Sequence, residues 1–369
     1  MFTIQAFDSK KQDSYVQLEN VAFLVGNGIN RHKGNNFTWV ELISESFPDQ
    51  YKIYFSHQFS ESKKGIQNTI DNYLDGLSYP EMAELALRLR EDENKKSEDE
   101  IRNKQEEKIA NDDKKNVKKK ENAVLAYKNI IAELTKEKMP KFQNEKHEKV
   151  IEFAEKYNIP ILTTNYDTSL LTTKYLNLLE NQKNKIFWMK NNGDKDKYDR
   201  IFLTNAYFSK GRMDYDDVRE RFAVWYIHGL AMEKSYYGSI RITNKDYADA
   251  ISNLKTYINK DLYNDDDKWK GWNTWVNIIM HNDLIIAGLG LEQSETDLRW
   301  LLVERYIYHT KKEREAIELR KKYRRPETIF VYSDEMKNGT KLYFEALGVK
   351  FVKKSYDEVF DFEKYIIRK

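Results

Sequence analysis

Four short segments of the chain combine glycines with polar side chains that can bind a ligand or move a proton. They are GNGIN at 26–30, TTNYD at 163–167, IHG at 227–229 and AGLGLEQSETD at 287–297. Three of them follow runs of apolar and β-branched residues of the kind that form buried parallel strands. In an open α/β sheet, ligands bind beyond the carboxyl ends of the strands. The four segments together therefore predict a nucleotide-binding active site at one edge of a sheet.

The first segment has the composition of a phosphate-binding turn. Gly26 and Gly28 permit a tight turn and a close backbone approach to a phosphate, and a helix N-terminus behind them would favour the anion. The pattern reads GxGxxR, so the third glycine of the dinucleotide fingerprint is absent. A strand-to-helix turn that binds no ligand is the alternative interpretation of these glycines.

The second and third segments supply candidate catalytic side chains. Asn165 and Asp167 lie just beyond a strand, where Asp167 or Thr168 can equally cap the next helix, whereas capping leaves Asn165 unexplained. His228 ends an apolar run, and a histidine there can act as a general base near neutral pH, although a lone histidine in such a place is more often structural. The remaining histidines lie in polar or helical contexts and are predicted to be surface or structural residues: His32, His57, His147, His281 and His309.

The fourth segment and the end of a later strand have residues suited to the adenosine half of a nucleotide. Gly288 and Gly290 leave room for a ribose or an adenine, and the carboxylates and hydroxyls after them can bind ribose hydroxyls. Ser333 and Asp334 follow another predicted strand and offer a second such edge. A simple connecting loop is the alternative for both places.

Composition narrows the class of protein. A chain of 369 residues can hold one large α/β core with an insertion, or two domains. Its 62 basic and 60 acidic residues give a formal charge of +2, so no global field favours nucleic acid or a membrane. The absence of cysteine excludes disulfides, a cysteine nucleophile and a thiolate zinc site. Because neither a signal peptide nor an apolar run near the roughly 20 residues of a membrane helix is visible, we expect a cytoplasmic protein.

Strand and helix patterns alternate along most of the chain. The predicted strands are 21–25, 159–162, 223–227, 239–243, 284–287, 328–332 and 349–352. The predicted helices are 37–47, 146–157, 168–179, 247–258, 272–280, 296–308, a charged helical run from there to 320, and one ending near 346. The sheet-forming part thus runs from about residue 20 to 352, which leaves 353–369 as a tail. The alternation predicts one domain over 1–369, a doubly wound, Rossmann-like α/β fold with a parallel sheet.

Two segments interrupt this alternation. Residues 79–145 are predicted to be a helical insertion, and residues 182–222 a second, irregular insertion rich in tyrosine. Within the first, residues 91–122 are almost wholly charged with both signs interleaved, which predicts a solvated helix or a mobile loop. Because the acidic residues cancel the basic ones, direct nucleic-acid binding is not expected.

At these motifs the chain resembles the sirtuin family and, more narrowly, the sirtuin-like NAD hydrolases that act as effectors in bacterial anti-phage defence. Gly26-Asn27-Gly28 is similar to the family's Gly-x-Gly loop, Thr163–Asp167 to its T-x-N-x-D turn and His228-Gly229 to its histidine-glycine pair. Weaker similarities are TWVEL at 38–42, SIRITNKDY at 239–247 and LIIAGLGLEQSETDLRWLL at 284–302. The resemblance spans roughly 20–48, 146–180 and 223–352. The chain lacks the four zinc-binding cysteines of sirtuin deacylases, which argues against protein deacylation, and GNGINR stands where deacylases have Gly-Ala-Gly-Ile-Ser followed by a Phe-Arg pair.

The resemblance implies an enzyme that cleaves the nicotinamide–ribose bond of NAD⁺, its substrate, without a metal. It implies that Asn165 orients a water or the nicotinamide ribose, that Asp167 supports this loop, and that His228 is a general base. The NAD-binding residues that it implies are Gly26, Asn27, Gly28, Thr164, Gly288, Gly290, Ser333 and Asp334.

Two further expectations concern control and the alternative functions. Unregulated NAD⁺ cleavage would kill the cell, so we expect a regulatory protein partner, a homo-oligomer, or both, and no membrane partner. A non-catalytic subunit that senses NAD or a related nucleotide within a larger defence complex is the main alternative. A zinc-free deacylase is a third.

Overall fold

A computed structural model describes residues 2–8, 11–30, 39–49, 77–102, 113–138, 145–171, 187–190, 198–202, 222–231, 240–258, 262, 269, 271–272, 274–291, 295–333 and 336–368. The strands in this part are β1 (Phe2–Asp8), β2 (Lys11–Leu18), β3 (Val21–Val25), β4 (Ile161–Thr163), β5 (Phe187–Lys190), β6 (Tyr198–Phe202), β7 (Ala223–Tyr226), β8 (Asp283–Ala287), β9 (Thr328–Tyr332), β10 (Val349–Lys353) and β11 (Ile366–Arg368). The helices are α1 (Trp39–Glu45), α2 (Tyr79–Arg102), α3 (Asp113–Lys138), α4 (Glu145–Lys156), α5 (Asn244–Tyr257), α6 (Trp275–His281), α7 (Thr296–Glu318) and α8 (Asn338–Ala346), with 3-10 turns at Asn27–Asn30 and Phe362–Lys364.

Six of the seven strands predicted from apolar runs lie in one sheet. In the order β10-β9-β8-β3-β4-β7-β6-β5, every neighbouring pair is parallel except β5 and β6. A parallel sheet is covered on both faces, so its strands are apolar at successive positions rather than at alternate ones. All residues of β3 and β8 are buried accordingly. The predicted doubly wound α/β fold is confirmed.

The two faces of the sheet bury separate apolar cores. Phe23 of β3 belongs to the core that contains Phe153 of α4 and Phe362, and its ring stacks on Phe362 with centroids 4.1 Å apart. Leu24, the next residue of β3, belongs to the opposite core with Trp275 of α6. Successive side chains of a strand point to opposite faces, so one apolar run serves both cores.

The predicted helical insertion consists of α2 and α3, and its basal part packs on the domain. Tyr127 of α3 shares a third apolar core with Tyr166 and Ile242, which come from the two segments nearest the candidate site. Lys128 of α3 also forms a buried ion pair with Asp246 of α5, with Nζ and Oδ1 2.5 Å apart. The base of the insertion is therefore built into the fold.

Three predicted elements differ in detail. Residues 240–243 are not a strand but an extended segment that ends at Thr243, whose hydroxyl caps α5 by accepting from the amide of Asp246. Residues 168–171 form a turn rather than the first turn of a helix, and 172–179 lie outside the described residues. The charged run after 308 continues α7 without a break.

The two insertions also differ from prediction. Segment 182–222, predicted to be irregular, contributes β5 and β6 to the edge of the sheet. The charged segment 91–122 is helical at 91–102 and 113–122, while 103–112 lie outside the described residues. Among the described residues, no helix is both long and apolar enough to cross a membrane.

The prediction that the sheet-forming part runs only from about residue 20 to 352 is wrong. β1 and β2 form a hairpin, and β11 pairs antiparallel with β1 to make a separate sheet of order β11-β1-β2. Phe360 and Phe362 are buried in the first core, so the segment after β10 is part of the domain and not a tail.

Candidate active site

The register of the central strands brings the four polar segments to one row. Val25 of β3 pairs with Thr163 of β4 on one side and with Ala287 of β8 on the other, and Thr163 pairs with Tyr226 of β7. The strands are parallel and end in register, so the polar segments that follow β3, β4 and β7 begin side by side at the carboxyl edge. Asn27, Asn165 and His228 are each two positions beyond these paired residues. The predicted meeting of the segments at the carboxyl edge is therefore observed.

The glycine loop after β3 is packed against the loop after β8. The amide of Gly26 donates to the carbonyl of Ala287 at 3.0 Å, and the amide of Gly28 donates to the carbonyl of Gly288 at 2.7 Å. A Cβ on Gly26 would lie 2.5 Å from the Gly288 oxygen, and one on Gly28 would lie 2.6 Å from the Gly288 Cα. The Tyr356 hydroxyl donates to the Gly28 carbonyl from the other side. Contact between loops thus requires these glycines, and both of their amides already have protein acceptors.

Asn30 connects the glycine loop to the TTNYD turn. Its Nδ2 donates to Asn27 Oδ1 at 2.8 Å and to Asp167 Oδ2 at 2.7 Å. Its Oδ1 lies 2.8 Å from Nε2 of His147 on α4. The other oxygen of Asp167 accepts from the amide of Ser169, so in the described residues Asp167 closes a turn and not the helix N-terminus of the capping interpretation. Asp167 therefore holds two loops in place with both of its oxygens.

The side chain of Asn165 is buried, although no hydrogen bond within the described part of the chain holds it there. It is 1% exposed, and neither Nδ2 nor Oδ1 has a hydrogen-bond partner in the described part of the chain. The same is true of Asn27 Nδ2 and of the Tyr226 hydroxyl, whose pKa is raised well above 10.0 by burial and by the nearby charge of Asp167. A buried polar group without a partner costs about 1–3 kcal/mol. Unpaired donors and acceptors gathered at one sheet edge indicate a site for a polar ligand.

His228 is held by a buried carboxylate. Its Nε2 lies 3.1 Å from Oδ2 of Asp297, in the first turn of α7, and the same oxygen accepts from Nη1 of Arg241 at 3.1 Å. All three side chains are at least nine-tenths buried. Because an ionised carboxylate only accepts hydrogen bonds, Nε2 of His228 carries the proton. The other ring nitrogen, Nδ1, has no hydrogen-bond partner among the described residues, so a neutral imidazole can accept a proton there.

The charge balance around Asp297 keeps its carboxyl group ionised. Burial by itself raises the pKa of Asp297, but its electrostatic interactions and hydrogen bonds with His228, the charge of Arg241 and the hydrogen bond from the amide of Leu298 lower it below its usual 3.8. The backbone around this group is fixed as well. The Arg241 amide donates to the His228 carbonyl at 2.9 Å, and the Tyr166 hydroxyl donates to the Arg241 carbonyl. The turn that carries Asn165 and the segment that carries His228 are thus tied together.

The remaining predicted site residues differ in their burial and in their position relative to the sheet edge. Thr164 is buried one position before Asn165, level with Gly288. Gly290 is exposed, and Ser333 is half-buried after β9, which neighbours β8. Asp334 lies outside the described residues, as does Arg31 of the GxGxxR pattern.

Three residues of the site were missed by sequence reasoning or assigned no role: Asn30, His147 and Arg241. Asp297, one of the carboxylates predicted to be suited to ribose hydroxyls, is instead hydrogen-bonded to His228 and Arg241. The prediction that His147 is a surface or structural residue gave it no link to the site, yet it is fully buried and contacts the site network. A signal was available, because His147 stands at helical spacing with buried Val150, Ile151 and Ala154. His309, also predicted to be surface or structural, is buried near the opposite edge of the sheet. No protein-family model and no curated protein matches this sequence.

Proposed function

We propose that this chain cleaves the bond between nicotinamide and ribose in NAD⁺, with water as the co-substrate, to give nicotinamide, ADP-ribose and a proton. The observation that carries the proposal is the occurrence of two groups at the carboxyl edge of the sheet: the buried amide of Asn165, unpaired at both polar atoms in the described part of the chain, and His228, whose Nε2 is held by Asp297 while its Nδ1 is left for a proton. An amide with one donor and one acceptor suits a ribose hydroxyl or a water beside it. The motif resemblance to sirtuin-like NAD hydrolases supports this choice among nucleotides.

The reaction needs a site that stabilises a developing cation and positions water. As the glycosidic bond breaks, its electron pair moves to the nicotinamide nitrogen, which loses its positive charge, and oxocarbenium character develops on the ribose. Water then adds to the anomeric carbon and releases a proton. Asn165 would hold the water or the ribose hydroxyl, and Nδ1 of His228 would receive the proton.

Asp297 and Asp167 serve this proposed reaction by positioning other groups. Asp297 keeps the proton of His228 on Nε2, which leaves Nδ1 as the base, and its negative charge stabilises the imidazolium formed after proton transfer. Asp167 uses both oxygens on Ser169 and Asn30, so its role is to hold the turn that carries Asn165. Asp167 is therefore assigned a positioning role rather than contact with the reacting atoms.

The decisive experiment is a single-turnover assay. Purified full-length protein in excess is incubated with NAD⁺ labelled in the nicotinamide, so that even a slow basal reaction yields measurable free nicotinamide. We expect release by the wild type and a loss of at least about a hundredfold in His228→Ala and Asn165→Ala, the scale for a positioned acid–base group. Lys245→Ala, a change in an exposed ion pair, is the matched control and should leave release unchanged.

The alternative function has its own outcome in the same experiment. NAD⁺ binding that is weakened by Asn165→Ala, with no nicotinamide released, would replace the enzyme by an NAD-sensing module. Absence of both binding and release would overturn both functions. The unpaired amide favours neither by itself, but a histidine held with a free Nδ1 favours the enzyme, because binding does not require a base.

The proposed biological role is NAD⁺ depletion during phage infection, triggered by a partner protein. It predicts a low basal rate in the isolated protein and a fall in cellular NAD⁺ on infection of bacteria that carry the gene with its neighbours. The Asn165→Ala variant should abolish that fall. A wild-type NAD⁺ level that does not change in cells protected from phage would contradict this role without touching the chemistry.

A further inference from the structure

The glycine loop offers a phosphate a side-chain donor, whereas the amides of its two glycines are already used within the protein. Both glycine amides, at Gly26 and Gly28, donate to carbonyls of the loop after β8. Asn27, between them, is 6% exposed, and its Nδ2 has no acceptor in the described part of the chain. We propose that Asn27 Nδ2 binds the diphosphate of the substrate, and that His147, acting through Asn30, is a positioning residue for that donor. This rests on the proposed function for the identity of the dinucleotide.

The place of Asn27 in the sheet selects the diphosphate as its ligand. β3 lies between β4 and β7, whose ends carry Asn165 and His228, and β8 and β9, whose ends carry the residues suited to adenosine. Strands are about 4.8 Å apart, so β3 stands roughly 10 Å from both β7 and β9. A dinucleotide lying along this edge, with its nicotinamide half over β4 and β7, has its middle over β3. The middle of NAD⁺ is the diphosphate, whose oxygens only accept hydrogen bonds.

The hydrogen-bond network fixes which atom Asn27 presents. Asp167 can only accept, so the atom of Asn30 that faces it is the amide nitrogen, and the oxygen of Asn30 must face His147. Nε2 of His147 is consequently a donor. The nitrogen of Asn30 also faces Asn27, which turns Asn27 Oδ1 toward Asn30 and leaves Nδ2 as the group for the ligand. The orientation of Asn30 is thus fixed by Asp167, and the Nε2–H of His147, which itself does not touch the substrate, holds the Asn30 oxygen in that orientation.

The test measures binding of ADP-ribose to the purified full chain by calorimetry. Asn27→Asp keeps the size of the side chain and the oxygen that Asn30 contacts, but it replaces the donor with a charged acceptor. Loss of one hydrogen bond to a charged group weakens binding about 10- to 150-fold, so we expect the Kd for ADP-ribose to rise at least about thirtyfold. Nicotinamide riboside, which has no phosphate, should bind the variant and the wild type within about twofold by saturation-transfer NMR.

Variants of His147 separate positioning from mere stability. His147→Gln places an amide N–H where Nε2 stands and should keep ADP-ribose affinity within about threefold, whereas His147→Leu removes the donor and should weaken it about tenfold. His309→Leu is the matched control, because His309 is an equally buried histidine that contacts the carbonyl of Met280 on another element. It should lower the melting temperature without changing ADP-ribose affinity.

Each outcome decides between the two proposals. Wild-type affinity of Asn27→Asp for ADP-ribose, or an equal weakening of both ligands, would overturn the assignment of Asn27 even if nicotinamide release is observed. A selective loss of ADP-ribose binding without nicotinamide release in the wild type would keep the diphosphate contact and overturn the enzyme. If His147→Leu does not fold, the comparison of His147→Gln with Asn27→Asp still decides. A Kd for ADP-ribose that rises more than about tenfold in His147→Gln would refute the positioning role of His147.

Discussion

Substitution of Asp297 by Asn should lower the free energy of unfolding, because it removes one buried charge whose two oxygens both accept hydrogen bonds. Oδ2 of Asp297 accepts from His228 and Arg241, and Oδ1 accepts from the amide of Leu298. An amide side chain has one acceptor atom and one donor atom. If its oxygen faces Arg241, its nitrogen meets the N–H of Leu298, and if it is reversed, its nitrogen meets the guanidinium. In both orientations of Asn, a donor faces a donor.

The free-energy cost of Asp297→Asn follows from the burial of its partners, His228 and Arg241. Removing one member of a buried ion pair costs about 3–5 kcal/mol, because the remaining charge is left without its counterion in a dry environment. The entropy of unfolding is about 2.1 cal/mol/K per residue, or roughly 0.8 kcal/mol/K for 369 residues. Asp297→Asn should therefore lower the melting temperature by about 4–6 °C. It should also disturb the proton position on His228 and lower nicotinamide release at least about tenfold.

The difference in unfolding free energy between the wild type and Asp297→Asn should become smaller as the pH falls into the acidic range. The pKa of Asp297 is lower in the folded protein than its ordinary 3.8, so its ionised form stabilises the fold above that pH. The stabilisation is fully present at neutral pH and is lost as the pH falls through the folded-state pKa. The unfolding free energies of the wild type and of Asp297→Asn should thus differ equally at pH 7 and pH 5 and converge below about pH 4.

Urea unfolding followed by tryptophan fluorescence and circular dichroism measures this difference. Asp249→Asn is the matched control, since Asp249 forms an exposed ion pair with Lys245 on α5 and its loss should cost less than about 1 kcal/mol. If Asp297→Asn unfolds within about 1 kcal/mol of the wild type at pH 7, or if the difference grows on acidification, the network described around His228 is not what stabilises this edge of the sheet.

Three further changes test other parts of the structure. Asn165→Ala should leave the unfolding free energy within about 1 kcal/mol of wild type while abolishing nicotinamide release, because the buried amide has no protein partner to lose; a large destabilisation would reveal one. Lys128→Met should cost about 3 kcal/mol by stranding Asp246, whereas Lys136→Met, in an exposed pair, should cost less than about 1 kcal/mol, and equal effects in chemical unfolding would contradict the buried pair. Replacement of residues 91–122 by a short flexible linker should leave the melting temperature nearly unchanged, since this segment has few apolar residues to bury; a collapse of soluble expression would show that it packs on the domain.

The amino-acid sequence alone determined the central sheet and the edge at which the site lies. The continuous apolar runs at 21–25 and 284–287 mark strands buried on both faces, which only a covered parallel sheet provides. Glycines and polar residues just after such runs must then meet at the carboxyl edge, whatever the strand order. Asn165 and His228 could be selected in this way because hydrophobic periodicity is a local property of the chain.

The sequence did not reveal the strands at the two ends of the chain. β1 alternates apolar and polar residues over a short stretch, and β11 has three residues, so neither has a strong local pattern. Their stability comes from pairing with each other, Phe2 with Arg368, across nearly the whole length of the chain. A pairing between distant segments is decided by how the elements pack, and a local pattern does not encode it.

The partners of the polar side chains were decided by the tertiary structure as well. His228 and Asp297 are 69 positions apart, and His147 and Asn30 are 117 apart. Sequence reasoning could state that each group is able to donate or accept a proton, but a hydrogen bond depends on separations of about 3 Å between atoms on different elements. Only the packing of α4 and α7 against the sheet brings these atoms that close. The residue types therefore came from the sequence, while the direction of each donor, and with it the chemistry of the site, came from the fold.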